Sequence, residues 1–230
     1  MKIAIATAAL ALTAACALPA EAQSPPAALP KAPVSAFLTQ CKGKDGWNDP
    51  APPFHIYGNT YGVGTCGMNA LLVVSPEGLA LVDVGTQEAA ALVAENIRSL
   101  GFELSDVKWI VASHEHWDHV GGIAEMQRLT GAKVGVLASA RDSFEQGHHN
   151  PIDPQGDHTF PKIRVDRVLE GGDSVKVGQA VLTIHATPTH SPGSSSWTWQ
   201  ACEDSACKTI AYADSATTIS SDDYRFSDHP

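Results

Sequence analysis

Residues 114 to 119 read His-Glu-His-Trp-Asp-His, which gathers three imidazoles and the carboxylate of Asp118 into one short stretch. Histidines crowd poorly in a core, because each carries polar nitrogens that need partners once water is lost. The same groups are good ligands for a divalent cation. Their spacing excludes the helical His-Glu-x-x-His arrangement, which needs a histidine at position 118, where Asp118 stands. Ligands at i, i+2, i+4 and i+5 do not share one helix face, but they suit a loop leaving a strand. Such a loop can turn His114 and His116 toward one ion, and Asp118 and His119 toward a neighbouring one. Imidazole with carboxylate favours zinc, whereas calcium and magnesium take all-oxygen shells.

A third ligand for the first ion can come from His190, in Thr187-Pro188-Thr189-His190-Ser191-Pro192-Gly193, where two prolines and a glycine make a rigid, exposed turn. Asp83, in Leu-Val-Asp-Val-Gly-Thr, ends an apolar run, and a carboxylate there is expected to orient a neighbouring imidazole or to cap a loop near the metals. Glu115 and Trp117 alternate away from the ligands and read as packing and support. His148, His149 and His158 read as surface histidines, with the mouth of the cleft as the alternative, and His55 and His185 as strand residues with structural roles. No G-x-S-x-G motif is present, which disfavours a serine nucleophile of the elbow type.

These groups need a scaffold that brings strand ends together. Val107 to Ala112 is a buried strand that delivers the histidine cluster at its carboxyl end. Upstream, Ala70 to Val74 and Leu79 to Val84 flank Ser75-Pro76-Glu77-Gly78, the residues of a type I turn, hence a hairpin. Gln87 to Leu100 is a helix closed by Gly101, and Gly121 to Thr130 a shorter one closed by Gly131. Lys133 to Leu137 is a strand and Ser139 to Gln146 a helix, followed by an irregular loop over His148 to Pro161. The remainder is strands: Val165 to Leu169, Ser174 to Val177, Ala180 to Ala186, Ser195 to Gln200 and Lys208 to Ala213.

With 230 residues the chain can bury one sizeable core, and its net charge of −10 with no Lys/Arg run makes nucleic acid a poor partner. Met1 to Ala22 has a lysine, an apolar run and an Ala-Glu-Ala end, the pattern of a signal peptide. Residues 23–40 read as a Pro/Ala-rich linker and 41–230 as one domain. The expected location is therefore periplasmic or secreted, with no membrane attachment after leader removal, unless Cys16 is lipidated. Four cysteines remain beyond the leader, an even count that points to disulfides in an exported chain. Cys202 and Cys207 flank a hairpin tip, Glu-Asp-Ser-Ala, and pair with each other, which leaves Cys41 for Cys66. Four thiolates around a zinc are the weaker alternative, since no C-x-x-C occurs.

The H-x-H-x-D-H run after a strand, the upstream Val82-Asp83-Val84-Gly85 and the later lone histidine resemble the metallo-β-lactamase superfamily. Gly58-Asn59-Thr60-Tyr61 with Val63-Gly64-Thr65-Cys66, Ser191-Pro192-Gly193 leading to Ser196-Trp197-Thr198-Trp199, and Tyr212-Ala213-Asp214-Ser215 resemble its subclass B3. The resemblance runs from about Cys41 to Pro230. It implies an α/β (α+β) fold, a four-layer αββα sandwich. It also implies two zinc ions, the first on His114, His116 and His190, the second on Asp118 and His119. Asp118 would act in catalysis, and Ser215 with Thr217 would orient the substrate. The third ligand of the second zinc falls beyond position 230, so the chain is expected to be C-terminally incomplete, with the last part of the second half missing. The implied activity is hydrolysis of the β-lactam amide by a hydroxide that zinc makes available at neutral pH, which confers antibiotic resistance. A monomer acting on a small molecule is expected. The alternatives are a lactonase or thioesterase of the same fold, or an exported zinc-binding protein without catalysis.

Overall fold

The structure is a computed structural model, and it describes residues 29–228. The expected leader, Cys16 within it, and His229 lie outside the described residues. Two sheets face each other. The first contains, in spatial and chain order, β1 (Phe54–Tyr57), β2 (Thr60–Gly62), β3 (Leu71–Ser75), β4 (Gly78–Val82), β5 (Val107–Val111), β6 (Lys133–Leu137) and β7 (Arg167–Leu169). Pairing is antiparallel from β1 to β4 and parallel from β4 to β7. The second sheet is an antiparallel meander of β8 (Ser174–Val177), β9 (Ala180–Ala186), β10 (Ser195–Glu203) and β11 (Ala206–Tyr212).

The helices are α1 (Val34–Gln40), α2 (Ala89–Ser99), α3 (Trp117–Val120), α4 (Ile123–Thr130) and α5 (Arg141–Gln146). Parallel strands cannot be joined by a tight turn, so each parallel step carries a crossover: α2 before β5, α3 and α4 before β6, α5 before β7. Burial explains the uninterrupted apolar runs, because β3 and β4 are buried at every position. Leu72, Val74, Leu79 and Leu81 meet Val93 and Ile97 of α2 and Ile123 and Met126 of α4 on the outer face. Leu71, Val73, Ala80 and Val82 meet Leu182, Ile184, Trp197 and Trp199 between the sheets. In β9 the alternation is plain: Ala180, Leu182 and Ile184 point inward while Val181 and His185 are exposed. Among the described residues no helix covers the outer face of this second sheet. They therefore build the α, β and β layers of the sandwich that the resemblance implies.

Most expected elements are present within a few residues. The Ser75–Gly78 hairpin forms, with Ser75 paired to Gly78. Gly131 closes α4 with a φ of 71°, a left-handed conformation that glycine adopts without steric cost. The expected Gly121–Thr130 helix is present as α4 from Ile123, and a further short helix, α3, precedes it and takes in Asp118 and His119, which were expected on a loop. Two corrections concern the N-terminal part. Residues 23–40 are not linker throughout, because Val34–Gln40 is helical, Ala32 joins the core and Cys41 is bridged to Cys66. Strand β2 was not anticipated, since its three residues are too few for a periodic signal.

Both disulfides pair as expected, Cys41 with Cys66 and Cys202 with Cys207. Loop closure in the unfolded chain assigns about 3.5 kcal/mol to the longer bridge and about 2 kcal/mol to the shorter. Trp197 is fully buried between the sheets, and its indole N–H donates to the carbonyl of Ala112 at 2.9 Å, where β5 gives way to the histidine loop. Trp197→Ala should therefore lower the unfolding free energy by about 3–5 kcal/mol, read from urea titration.

Candidate metal centre

The strand β5 ends at Val111, and Ala112-Ser113 carry the chain directly into His114. This exit is clamped from the second sheet. The backbone N–H of Ser195, at the start of β10, donates to the carbonyl of Ser113 at 2.6 Å, and its hydroxyl reaches Ala112 O at 3.1 Å. Since His190 lies just before β10, one clamp brings both ligand segments together. One nitrogen each from His114, His116 and His190 lies within 4.8 Å of the others, and all three residues are buried.

The hydrogen bonds assign the tautomers. His114 Nδ1 donates to Asp214 Oδ1 at 2.8 Å, His116 Nε2 to Asp153 Oδ2 at 2.7 Å and His190 Nδ1 to the carbonyl of Thr217 at 2.9 Å. The lone pairs then sit on His114 Nε2, His116 Nδ1 and His190 Nε2. His114 Nε2 is buried without a hydrogen-bond partner, and the Gln155 amide lies 3.4 Å from His116 Nδ1 and 3.1 Å from His190 Nε2. Interplanar angles of 82°, 82° and 60° among the three rings let in-plane lone pairs converge on one point. Burial, reinforced by the neighbouring imidazoles His119 and His116, holds His114 well below the ordinary histidine range, so the ring is neutral and free to ligate. An orphaned buried nitrogen with two more facing it fits a divalent metal.

Asp118 and His119 lie on α3, half-buried, with Asp118 Oδ2 3.8 Å from His119 Nε2. The other nitrogen of His119 donates to Asp83 at 3.0 Å. Burial opposes charge on His119, but the hydrogen bond and charge of Asp83 together with the charges of Asp118 and Asp214 outweigh it, and the net shift is upward. Asp83 stands at the end of β4 in a left-handed conformation, φ 57°, and also accepts from Ser113 N, Ser113 Oγ and Tyr212 OH at 2.7, 2.8 and 2.9 Å. Its expected orienting role thus has a named target, His119. Ser215 is half-buried beside Asp214, and the side chain of Thr217 is exposed while its carbonyl holds His190.

A second grouping, His116 with His149 and Asp153, also has ligand atoms within 4.8 Å of one another. Its geometry is unsuited to an ion. The His116 and His149 rings are stacked, 4.4 Å apart and 20° from parallel, so their lone pairs run side by side. Both nitrogens of His149 are already engaged, Nε2 by Trp117 N–H at 3.3 Å and Nδ1 with Gly156 O at 3.1 Å.

His149 is the clearest correction at the site: expected on the surface, it is buried against the ring of His116. His148 is half-buried and His158 exposed, while His55 and His185 sit in β1 and β9. Asp153 and Gln155 went unforeseen, because 37 and 39 residues separate them from His116 and no spacing rule links them. The one available signal was the run of histidines and prolines from 148 to 161.

The profile of the metallo-beta-lactamase superfamily matches residues 63–203, and the chain belongs to that superfamily, a family of metal-dependent hydrolases. Its two facing sheets match the sandwich of solved relatives. The metallo-β-lactamase MIM-1 from Novosphingobium pentaromativorans superposes with a TM-score of 0.84 at 56% identity, over 86% of this chain and 74% of that one. MEM-A1, a subclass B3 metallo-β-lactamase from a soil metagenome library, gives 0.77 at 41% identity, over 79% and 70%. The hydroxyacylglutathione hydrolase of Methylobacterium nodulans is 32% identical over 120 residues, 52% of this chain and 38% of that protein. This chain thus spans less than two-fifths of the length of the curated relatives it matches.

Burial, with the nearby His116, pulls the pKa of His149 from 6.5 down to about 4. Between those values the unfolded chain binds more protons than the folded one, so this residue makes stability fall as pH drops from about 6.5 toward 4. His149→Phe should flatten that part of the curve for metal-free protein, measured by thermal melting against pH.

Proposed function

We propose that this protein hydrolyses the amide bond of β-lactams with zinc at the centre described above. The observation that carries this reading is the likeness to metallo-β-lactamases at 56% identity over 86% of the chain, with the three steeply crossed imidazoles inside the shared region. His114, His116 and His190 would hold the first ion, and Asp118 and His119 contribute to a second. Zinc, when bound, makes water acidic near pH 7 and polarises a carbonyl oxygen.

The chain's own groups supply the rest. Asp214, Asp153 and the Thr217 carbonyl keep each ring's proton on the nitrogen facing away from the ion. Asp118, a carboxylate partly open to solvent, would orient the attacking water and carry its proton to the departing lactam nitrogen. Ser215, and Thr217 beside it, would meet the substrate carboxylate. Export through residues 1–22 belongs to the same proposal, and two disulfides support it, since such bonds persist in oxidising compartments.

A thioesterase reading draws on the hydroxyacylglutathione hydrolases, but their likeness is 32% over 52% of the chain and so supports the fold's chemistry more than the substrate. Turnover of nitrocefin and of a carbapenem, lost on chelation and restored by zinc, is the expected result. Turnover of a glutathione thioester without any lactam hydrolysis by the zinc-loaded protein would defeat the proposal. Asp118→Ala should reduce lactam turnover about 10²–10⁴-fold while circular dichroism stays native. Loss of folding instead would favour a purely structural metal site.

A further inference from the structure

Glu115 lies between two loop ligands, and its side chain turns away from them, completely buried. Both of its side-chain hydrogen bonds to other residues go to one segment. Ser191 Oγ donates to Oε2 at 2.8 Å, and the backbone N–H of Gly193 donates to Oε1 at 3.0 Å. Ser191 is the residue next to His190. The turn closes around this carboxylate: Ser191 N–H donates to Ser194 Oγ at 3.0 Å and Ser194 N–H to Ser191 O at 3.2 Å. The packing is tight enough that a Cβ at position 193 would fall 2.2 Å from Glu115 Oε2, so only glycine fits there. Both partners are uncharged donors belonging to a turn 76 and 78 residues away.

We propose that Glu115 is a positioning residue for the metal centre, which sets His190 against His114 and His116 by organising the Ser191–Ser194 turn. The inference rests on the reading of these three histidines as zinc ligands. Zinc–nitrogen bonds are about 2.0–2.1 Å, and displacing one imidazole by a few tenths of an ångström weakens the site. The clamp from Ser195 to Ala112 and Ser113 ties the two segments together without Glu115, so their contact does not depend on the carboxylate alone. Apart from that clamp, residues 190–194 are held by bonds within the turn, by Thr187 N–H to Ser194 O at 3.0 Å and by the Thr217 carbonyl on His190, none of which ties Ser191 or Gly193 to the histidine loop. The Glu115 carboxylate does.

The test compares wild type with Glu115→Gln, Ser191→Ala and the double variant. It measures zinc affinity by competition with a chromophoric chelator, the ligand-field spectrum of bound cobalt(II), and the melting temperature of metal-free protein. Each single variant should lose about 10–100-fold in first-site zinc affinity with an altered cobalt spectrum. The double variant should bind no more weakly than the worse single one, because both changes cut the same strap, and metal-free melting should fall by only the few degrees that a lost buried hydrogen bond costs. If Glu115→Gln does not fold, Ser191→Ala decides on the same readouts. Unchanged affinity and spectra in variants of a zinc-binding wild type would overturn this inference alone, as would losses that multiply in the double variant. A wild-type protein that takes up no zinc would overturn the underlying reading of the centre as well.

Discussion

An imidazole can ligate a cation only through a nitrogen without a proton, so a centre of neutral histidines depends on where each ring's single proton is parked. In this protein every candidate ligand histidine has its outward nitrogen committed to an oxygen: Asp214 for His114, Asp153 for His116, Asp83 for His119 and the Thr217 carbonyl for His190. Those oxygens come from three separated stretches of chain, at position 83, at position 153 and at positions 214 and 217. The requirement therefore reaches far beyond the histidine loop. It calls for β4 to end beside β5, for the 148–161 loop to fold back over α3, and for the segment after β11 to cross the cleft.

The two sheets meet that requirement where the end of one strand touches the start of another. Strand β5 of the first sheet releases the loop bearing His114 and His116, and β10 of the second begins just after His190, with Ser195 and Trp197 fastening it to the end of β5. Buried polar groups accumulate here, including Glu115 and Asp214, whose carboxyls burial pushes upward. Most are paired, and the exceptions, His114 Nε2 and Asp214 Oδ2, lie at the centre itself. A core would not keep such atoms. A metal centre would.

The sequence made the central elements legible for reasons that recur here. Strands β3, β4, β5 and β6 are buried and therefore read as apolar runs, and α2 shows the spacing of a helix with one buried face. The candidate ligands were legible because His114, His116 and His119 stand within a few residues of each other and His190 sits in a proline-bracketed turn. What stayed hidden shares one property, contact across long separation. Asp153 meets His116 through a loop whose residues follow no period, and His149 was taken for a surface residue because nothing local marks it as buried. Helix α1 buries none of its residues, so its pattern carried no hydrophobic face to detect. Asp83 was readable as a carboxylate out of place, and only the folded chain names His119 and Tyr212 as its partners.

That residue bears on how freely the chain can drift. Its φ of 57° admits glycine, asparagine or aspartate with little strain, and few other side chains. Four donors converge on its two oxygens, so an amide in their place would set an N–H against hydrogens already pointing at it, and glycine would leave them facing nothing. Backbone and side chain thus veto each other's alternatives, and the intersection is a single amino acid. Position 83 is a bottleneck in sequence space: relatives that diverge almost everywhere else would have to pass through it unchanged or rebuild the network around it in one step.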